Sequence, residues 1–121
     1  MTKLVGKSPP QLSAIQAPVS ALVAGVGDEI RRIVLSDFDR IEEVNEHLLF
    51  MRGKLFRPTL LLLCSRVADK ECEDALTLAA VVELVHLATL VHDDAVDHSV
   101  LRRGLPTVNA LWTHQVSVIM G

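Results

Sequence analysis

The sequence is poor in aromatic residues and in cysteine, and it has no excess of basic charge. Three phenylalanines, one tryptophan and no tyrosine leave little material for surfaces on which nucleic-acid bases stack. The formal net charge of -3 excludes a basic field over the whole chain, so no nucleic-acid partner is expected. The two cysteines, Cys64 and Cys72, are too few for a disulfide framework, which favours a reduced, cytoplasmic protein.

Long apolar runs are also missing. The run from Leu60 to Cys64, which no other apolar run exceeds, is far shorter than the roughly 20 residues that span a bilayer, so no transmembrane segment is predicted. Half of the 121 residues are nevertheless apolar, and mean hydropathy is +0.35. The length indicates one domain or part of one. Because so much of the chain is apolar, we expect some of its surface to be covered by a partner.

Apolar residues recur at three- and four-residue intervals along most of the chain, and no useful alternating strand pattern occurs. Residues 1–10 are expected to be a disordered lead-in. The pattern then predicts five helices, over about 11–35, 40–51, from the turn at Pro58 to 68, 73–97, and from Pro106 to the end. On the second helix, the predicted buried residues are Ile41, Val44, Leu48 and either Phe50 or Met51. We therefore predict an all-α fold, an antiparallel helical bundle over residues 11–121.

The predicted helix over 73–97 is apolar on most of its circumference, which indicates a central helix packed on all sides. On a helical wheel His86, Asp93 and Asp97 fall within about 40° of one another, and Asp94 points about 100° away from Asp93. Buried ionisable groups need a partner, and a metal ion is a natural one. Carboxylates four residues apart suit magnesium, with other positions left to water or phosphate. The alternative is a solvated acidic helix end.

Two basic sets flank this helix in the sequence. Arg102 and Arg103 follow the aspartates, and arginine is well suited to bidentate phosphate contacts, although these arginines could instead neutralise the acids. Lys54 and Arg57 lie three residues apart at a predicted helix start, where the helix dipole also favours an anion. The alternative for this second set is an ordinary exposed basic turn.

The histidines allow another interpretation. The adjacent pair His92 and Asp93 also occurs in metal-dependent phosphohydrolases, which need further histidines from distant parts of the chain. His47, His98 and His114 show no matching local pattern. We interpret His47 and His114 as surface or packing residues.

In combination, three motifs resemble those of the trans-type isoprenyl diphosphate synthases, the polyprenyl synthetase family. In chain order they are Gly53-Lys54-x-x-Arg57-Pro58, Glu83-Leu-Val-His86-x-Ala-Thr-Leu-x-His-Asp93-Asp94-x-x-Asp97, and Leu101-Arg102-Arg103-Gly104-x-Pro-Thr. The resemblance covers about residue 20 to the end. It implies an isoprenoid synthase-type helical fold and a Mg²⁺-dependent prenyltransferase that condenses isopentenyl diphosphate with an allylic diphosphate.

The resemblance also implies individual roles. Asp93 and Asp97 would hold magnesium on the allylic diphosphate, with Asp94 as a further member of that motif. The allylic diphosphate itself would be bound by Arg102. Isopentenyl diphosphate would be bound by four residues: Lys54, Arg57, His86 and Arg103. The small residues Ala88 and Thr89 would leave room for a product of geranylgeranyl length or longer.

One family feature is missing from this sequence. Members carry a second aspartate-rich motif far downstream, and these 121 residues do not contain it. We therefore expect the chain to be inactive alone, either as part of a longer synthase or as a non-catalytic subunit that pairs with a complete synthase. Apolar faces on the last two predicted helices also lead us to expect self-association, as in a homodimer.

Overall fold

The structure, a computed structural model, describes residues 11–35, 39–51, 53–68 and 73–121. Its elements in chain order are α1 (Leu12–Gln16), a 3-10 turn (Ala17–Val19), α2 (Ser20–Ile33), α3 (Asp39–Met51), α4 (Phe56–Val67), α5 (Ala75–Val96), β1 (Leu101–Arg102), β2 (Leu105–Pro106), α6 (Val108–Leu111) and α7 (His114–Met120). The all-α prediction is confirmed. The predicted lead-in over residues 1–10 and Cys72 lie outside the described residues. Cys64 is exposed on α4.

Helix α5 organises the packing, since α2, α4, α6 and α7 all contact it. Its N-terminal half meets α2 and α4 through small buried residues such as Ala79 and Ala80, which allow close approach of the helices. A separate apolar cluster near its C-terminal half joins Val44, Val91 and Val108. The bundle therefore has two small cores along one shared helix.

The prediction that α5 is packed on all sides is wrong. Leu78, Val81 and Val85 are 50%, 40% and 60% exposed, because the described helices cover only one side of α5. By length and composition α5 could cross a membrane, with a mean hydropathy of 1.8. Core helices of globular proteins meet the same criterion, so this finding is weak evidence of insertion. The absence of a transmembrane segment stays a prediction.

Helix α3 buries only part of the predicted face. Val44 is buried and Leu48 packs against its cluster, as predicted. Ile41 is 39% and Phe50 71% exposed, while Leu49 and Asn45 are buried, and the side chain of Met51 is not among those that the structure describes. The Asn45 side-chain amide donates to the Val34 carbonyl at 2.8 Å and so ties α3 to the end of α2. Phe50 lies six residues beyond Val44, about 240° around the helix, and therefore points away from this contact.

The predicted loop after α5 contains a short antiparallel hairpin, in which Leu101 pairs with Pro106 and Arg102 with Leu105. The two turn residues, Arg103 and Gly104, have φ values of 51° and 78°. Positive φ at both central residues is the pattern of a type I′ turn, whose twist matches that of paired strands. No alternation over two-residue strands could reveal this hairpin in the sequence.

The predicted last helix is two short helices, and Pro106 belongs to β2 instead of opening a helix. Helix α6 begins after Thr107, whose hydroxyl accepts from the Ala110 amide at 3.1 Å, and α7 begins after Thr113, which caps Val116 in the same way. Extended backbone at Trp112 separates them. The break changes which residues face the core, so that Leu111 is 51% and Ile119 80% exposed.

Candidate functional site

A pocket of about 420 Å³ lies between the start of α4, the middle of α5 and the hairpin. Its lining contains all the predicted basic ligands: Lys54, Arg57, His86, Arg102 and Arg103. Three separate stretches of sequence thus supply one cationic surface, which we call the basic pocket. Glu83, which is 3% exposed, is the acidic residue of the lining. Glu83 is the first residue of the motif that contains His86 and the aspartates, and the sequence predicted no role for it.

The start of α4 is held in an unusual backbone conformation. Leu55, the N-cap of α4, has φ 56° and ψ 40° and makes no side-chain cap. The left-handed region costs residues with a Cβ roughly 1–2 kcal/mol, so other contacts must hold the loop. Gln16 supplies such contacts, because its side-chain amide donates to the Lys54 carbonyl at 3.1 Å and to the Thr59 hydroxyl at 3.0 Å. Neither Gln16 nor Thr59 belongs to a charged motif, so the sequence did not indicate that either residue supports this loop.

Arg103 reaches the basic pocket across Gly53. A Cβ placed on Gly53 would overlap Nη1 of Arg103 and would lie 3.1 Å from its Cζ. The guanidinium therefore lies directly against the Gly53 backbone. The absence of a side chain at Gly53 therefore makes room for a cation.

Arg102 is engaged by Asp94. Its Nε and Nη2 donate to the Asp94 carboxylate at 2.8 to 3.1 Å, and the Asp94 side chain is only 6% exposed. These hydrogen bonds raise the pKa of Arg102 against the opposing effect of burial, and the charges of Asp93 and Asp97 add to the rise. The structure thus separates Asp94 from the other two aspartates. Both carboxylate oxygens of Asp94 accept hydrogen bonds from Arg102. This pair therefore matches the alternative from the sequence, in which the arginines neutralise the acids.

His86 lies in the basic pocket with its ring among cations. Burial lowers the pKa of His86, and the positive charges of Arg57, Arg103 and Arg102 lower it further, against the opposing charge of Glu83. The imidazole is consequently held neutral at neutral pH. One ring nitrogen then carries hydrogen and can donate to an anion, although the ring adds no charge.

Asp93 and Asp97 lie at the C-terminal end of α5, and both are exposed. The helix ends in a Schellman arrangement in which Ser99 N–H donates to the Asp94 carbonyl at 2.9 Å, while His98 adopts φ 51°. Asp97 keeps helical angles, so the predicted i, i+4 spacing holds. The premise that these acids are buried and need a partner is wrong, since water solvates both.

Magnesium fits this acidic helix end only as an open site. Within the described ranges, no group of three or more histidine, cysteine, aspartate or glutamate side chains could enclose a metal ion. Asp93 and Asp97 offer two hard carboxylates, a number with which Mg²⁺ is commonly bound when substrate phosphates and water complete its shell. The donor set is therefore compatible with a magnesium ion that is shared with a phosphate ligand.

A second cavity, of about 300 Å³, is mostly apolar and is called here the apolar cavity. Ala88 lines it, together with Leu84 and Val85 of α5 and Met120 of α7. Leu87 lines both this cavity and the basic pocket. Thr89, the other predicted pocket residue, is exposed and donates its hydroxyl to the His86 carbonyl at 2.6 Å. The structure thus brings Ala88 to the cavity but not Thr89.

The other histidines have packing contacts. His92 Nε2 donates to the Val118 carbonyl at 3.0 Å, and His47 Nε2 donates to the Pro106 carbonyl at 2.7 Å. His47 also packs edge-on against Trp112, with ring centroids 5.4 Å apart. His98 and His114 face each other at 5.4 Å on the surface. In the part of the chain that the structure describes, the metal cluster of a phosphohydrolase is not assembled.

The chain is similar in sequence to known prenyl diphosphate synthases. The chain is 37% identical over 92% of its length to "Heptaprenyl diphosphate synthase component 2" of Geobacillus stearothermophilus, and 40% identical over 83% to "Geranylgeranyl diphosphate synthase" of Saccharolobus solfataricus. It covers 35% and 30% of those proteins, and so spans about a third of the length of the curated relatives it matches.

Solved structures show the same relationship. A polyprenyl synthase from Caulobacter crescentus, crystallised with calcium and isoprenyl diphosphate, superposes with a TM-score of 0.86 at 34% identity, over 94% of this chain and 35% of that one. A decaprenyl diphosphate synthase from Rhodobacter capsulatus gives 0.83 at 39% identity, over 89% and 34%. The sequence model named Polyprenyl synthetase matches residues 38–121. The chain belongs to the polyprenyl synthetase family.

Proposed function

We propose that this chain supplies the diphosphate-binding part of a prenyltransferase that condenses isopentenyl diphosphate with an allylic diphosphate. The observation that carries the proposal is the basic pocket, in which residues from three stretches of sequence converge on about 420 Å³. Its cations match the charge of a diphosphate. Leu87 joins it to the apolar cavity, which suits a prenyl chain. The Caulobacter crescentus relative was crystallised with isoprenyl diphosphate, which supports the assignment.

The proposed roles follow charge and position. Lys54, Arg57 and Arg103 bind the isopentenyl diphosphate as cations, and His86 donates a hydrogen bond as a neutral ring. Arg102, oriented by Asp94, faces the allylic diphosphate. Fixed positive charge at the allylic diphosphate stabilises the negative charge that develops on this leaving group, whereas the cations at the isopentenyl diphosphate hold the second substrate in place.

Asp93 and Asp97 would hold magnesium at the open end of α5. When bound, the ion would neutralise diphosphate charge and favour departure of the leaving group. The apolar cavity would keep water away from the allylic carbon, which becomes positive as the diphosphate leaves. In this scheme the isopentenyl double bond attacks that carbon as the diphosphate leaves, which moves the positive charge to the isopentenyl unit. Loss of a proton from the carbon next to this cation then forms the double bond of the product.

We propose a product of geranylgeranyl length or longer. Ala88 leaves the cavity wall open below the first aspartate, where a larger side chain would fill it. The relatives reported above are named for products of several lengths, among them geranylgeranyl, heptaprenyl and decaprenyl diphosphates. This proposal therefore depends on the cavity and not on any single relative.

Titration calorimetry with isopentenyl diphosphate in magnesium-free buffer tests the diphosphate site. We expect saturable binding, and about a hundredfold loss in a Lys54→Met/Arg57→Met variant, since two charge-assisted contacts are removed. Arg66→Met, an exposed residue of the same helix, is the matched control and should bind normally. Equal losses in the control and the pocket variant would contradict the proposal.

A second candidate is a non-catalytic subunit that pairs with a complete prenyl diphosphate synthase. It is favoured by two relatives named component 2 of heptaprenyl diphosphate synthases and by exposed apolar residues on α5 and α7, such as Val85 and Ile119. The chain would then be inactive alone but would co-purify with a complete synthase. If the purified chain made prenyl diphosphates with Mg²⁺, this candidate and the expected inactivity would both fail.

Self-association and a cytoplasmic location complete the proposal. Leu111, Val118 and Ile119 are more than half exposed near the C-terminal end, which motivates association of two copies. Light scattering at micromolar concentration tests it, and a clean monomer would contradict it.

A further inference from the structure

Gln16 joins the end of α1 to the loop that carries Lys54. Its side-chain amide donates to the Lys54 carbonyl at 3.1 Å and to the Thr59 hydroxyl at 3.0 Å. Thr59 is 1% exposed, and its hydroxyl donates in turn to the Leu55 carbonyl at 2.7 Å. Two successive carbonyls of the loop are thus held by one pair of side chains.

Only an amide in this orientation satisfies all the partners. A carbonyl oxygen can only accept, and the single hydroxyl hydrogen of Thr59 is used by Leu55. Gln16 must therefore present both hydrogens of its amino group, one to Lys54 and one to Thr59. Methionine has a similar shape but no donor, so it would preserve packing and remove both hydrogen bonds.

The loop needs these hydrogen bonds because the backbone conformation of Leu55 is energetically unfavourable by itself. Leu55 adopts a left-handed conformation that residues with a Cβ rarely occupy, and it provides no side-chain cap for α4. The Leu55 carbonyl also accepts from the Thr59 backbone N–H at 3.0 Å. If the side-chain hydrogen bonds were lost, the Lys54 carbonyl would lose its contact with Gln16 and Leu55 would be held by that backbone hydrogen bond alone, so it could relax to negative φ. Lys54 and Arg57 flank this residue, so relaxation would change the direction of both cations towards the basic pocket.

We infer that Gln16 and Thr59 are positioning residues for diphosphate binding, acting through the backbone of Lys54 and Leu55. The inference rests on the proposed function, since it assigns a purpose to the geometry of that same pocket. Gln16 lies outside residues 38–121, the part that matches the family model. The first short helix thereby contributes to the site without contacting the ligand. A pocket that is already ordered pays less for binding its ligand.

Titration calorimetry with inorganic pyrophosphate in magnesium-free buffer tests the inference. We expect Gln16→Met to weaken pyrophosphate binding about fivefold, which is the fold-change that corresponds to the net contribution of one hydrogen bond. The free energy of unfolding of the same variant, measured with urea, should stay close to that of the unaltered chain, so that the loss of affinity does not come from a loss of stability. Gln115→Met, at an exposed position on α7, is the matched control and should bind as the unaltered chain does.

Thr59 provides a second pair of variants that does not depend on the stability of Gln16→Met. Thr59→Ser keeps the hydroxyl and should retain affinity, whereas the isosteric Thr59→Val should lose about as much as Gln16→Met. Combining Gln16→Met with Thr59→Val should then cause little additional loss, because both act on one loop.

The outcomes separate this inference from the proposed function. If the unaltered chain binds pyrophosphate and the Gln16 and Thr59 variants bind equally well, the positioning role is overturned while the diphosphate site stands. Fully additive losses in the double variant would also overturn it. If the unaltered chain shows no saturable binding of pyrophosphate, both the proposed diphosphate site and the positioning role are contradicted.

Discussion

The basic pocket and the acidic end of α5 lie on the same helix, but the protein supports them in different ways. In the pocket, Arg103 lies against Gly53, and Arg102 is held by the buried Asp94. At the helix end, Asp93 and Asp97 are exposed to water. The basic pocket, which is the proposed anion side, is therefore organised by contacts within the chain. The acidic end, which is the proposed cation side, offers two carboxylates, and a metal ion there would depend on a phosphate to complete its shell.

The largest expected effect comes from breaking the buried support of the pocket. Arg102→Met leaves the buried carboxylate of Asp94 without its partner, and we expect the free energy of unfolding to fall by about 3 kcal/mol. Urea unfolding measures the change. Adding Asp94→Asn to this variant should restore much of the loss, because the uncompensated charge is removed.

The exposed ion pair between Arg31 and Glu46, at 2.9 Å, is the matched control. Both side chains are about half exposed, and Arg31→Met should cost at most about 0.5 kcal/mol. Similar losses for Arg31→Met and Arg102→Met would show that burial of Asp94 does not stabilise the pocket.

The acidic helix end should add to ligand affinity only when magnesium and pyrophosphate are present together. Magnesium alone should bind weakly, because two exposed carboxylates leave most of its shell to water. With Mg²⁺ present, pyrophosphate should bind about tenfold more tightly than without it, through the metal that both would share. Calorimetric titrations with and without Mg²⁺ measure this gain.

Asp93→Asn and Asp97→Asn sharpen the contrast with the pocket. Each should remove most of the magnesium-dependent gain and leave magnesium-free binding intact. If either variant weakened magnesium-free binding as much as Lys54→Met/Arg57→Met does, the division between an anion side and a cation side would be wrong.

A smaller effect should follow from moving one cation within the pocket. Gly53→Ala displaces only the flexible end of Arg103, so the free energy of unfolding should change by less than about 0.5 kcal/mol. Pyrophosphate affinity should nevertheless fall about fivefold, close to the loss for Arg103→Met, since one charge-assisted contact is affected. The double variant should bind no worse than Arg103→Met.

Gly25→Ala is the control for Gly53→Ala. The nearest atoms to the added methyl group would be Leu76 carbons of α5 at 3.8 Å, which is an ordinary contact between α2 and α5. It should keep full affinity and should stabilise the helix by up to about 1 kcal/mol. Independent, additive effects of Gly53→Ala and Arg103→Met on binding would contradict the proposed contact.

The sequence predicted well those features that depend on local pattern. Helices α3, α4 and α5 lie close to their predicted bounds because apolar spacing and Pro58 are strong local signals. The hairpin and the break at Trp112 were missed, since they depend on two positive φ angles and on a threonine cap within a few residues.

The candidate site shows the same limit. The charged residues that line the basic pocket could be found from their motifs, whereas the residues that support them could not. The contact between Gln16 and Thr59 spans 43 residues, and no local pattern marks it. Burial was also misjudged, because an apolar helix shows how much surface it can bury but not which neighbours cover it. Asp94 and Asp93 are adjacent in sequence, yet one is buried and the other exposed.

The smallest expected effect concerns His86 and the pH dependence of stability. Burial and the neighbouring arginines lower the pKa of His86 in the folded chain below the value of about 6.5 expected when unfolded. As pH falls through 6.5 the unfolded state takes up the proton first, so this contribution to stability is present above that pH and is lost below it. His86→Gln should therefore reduce the loss of stability between pH 7.5 and pH 5, as measured by urea unfolding. His114→Gln, at an exposed position on α7, is the control variant for the removal of a histidine. Parallel profiles for the unaltered chain and His86→Gln would mean that the pocket does not disfavour the charged ring, and the pocket would then be less cationic than its residues suggest.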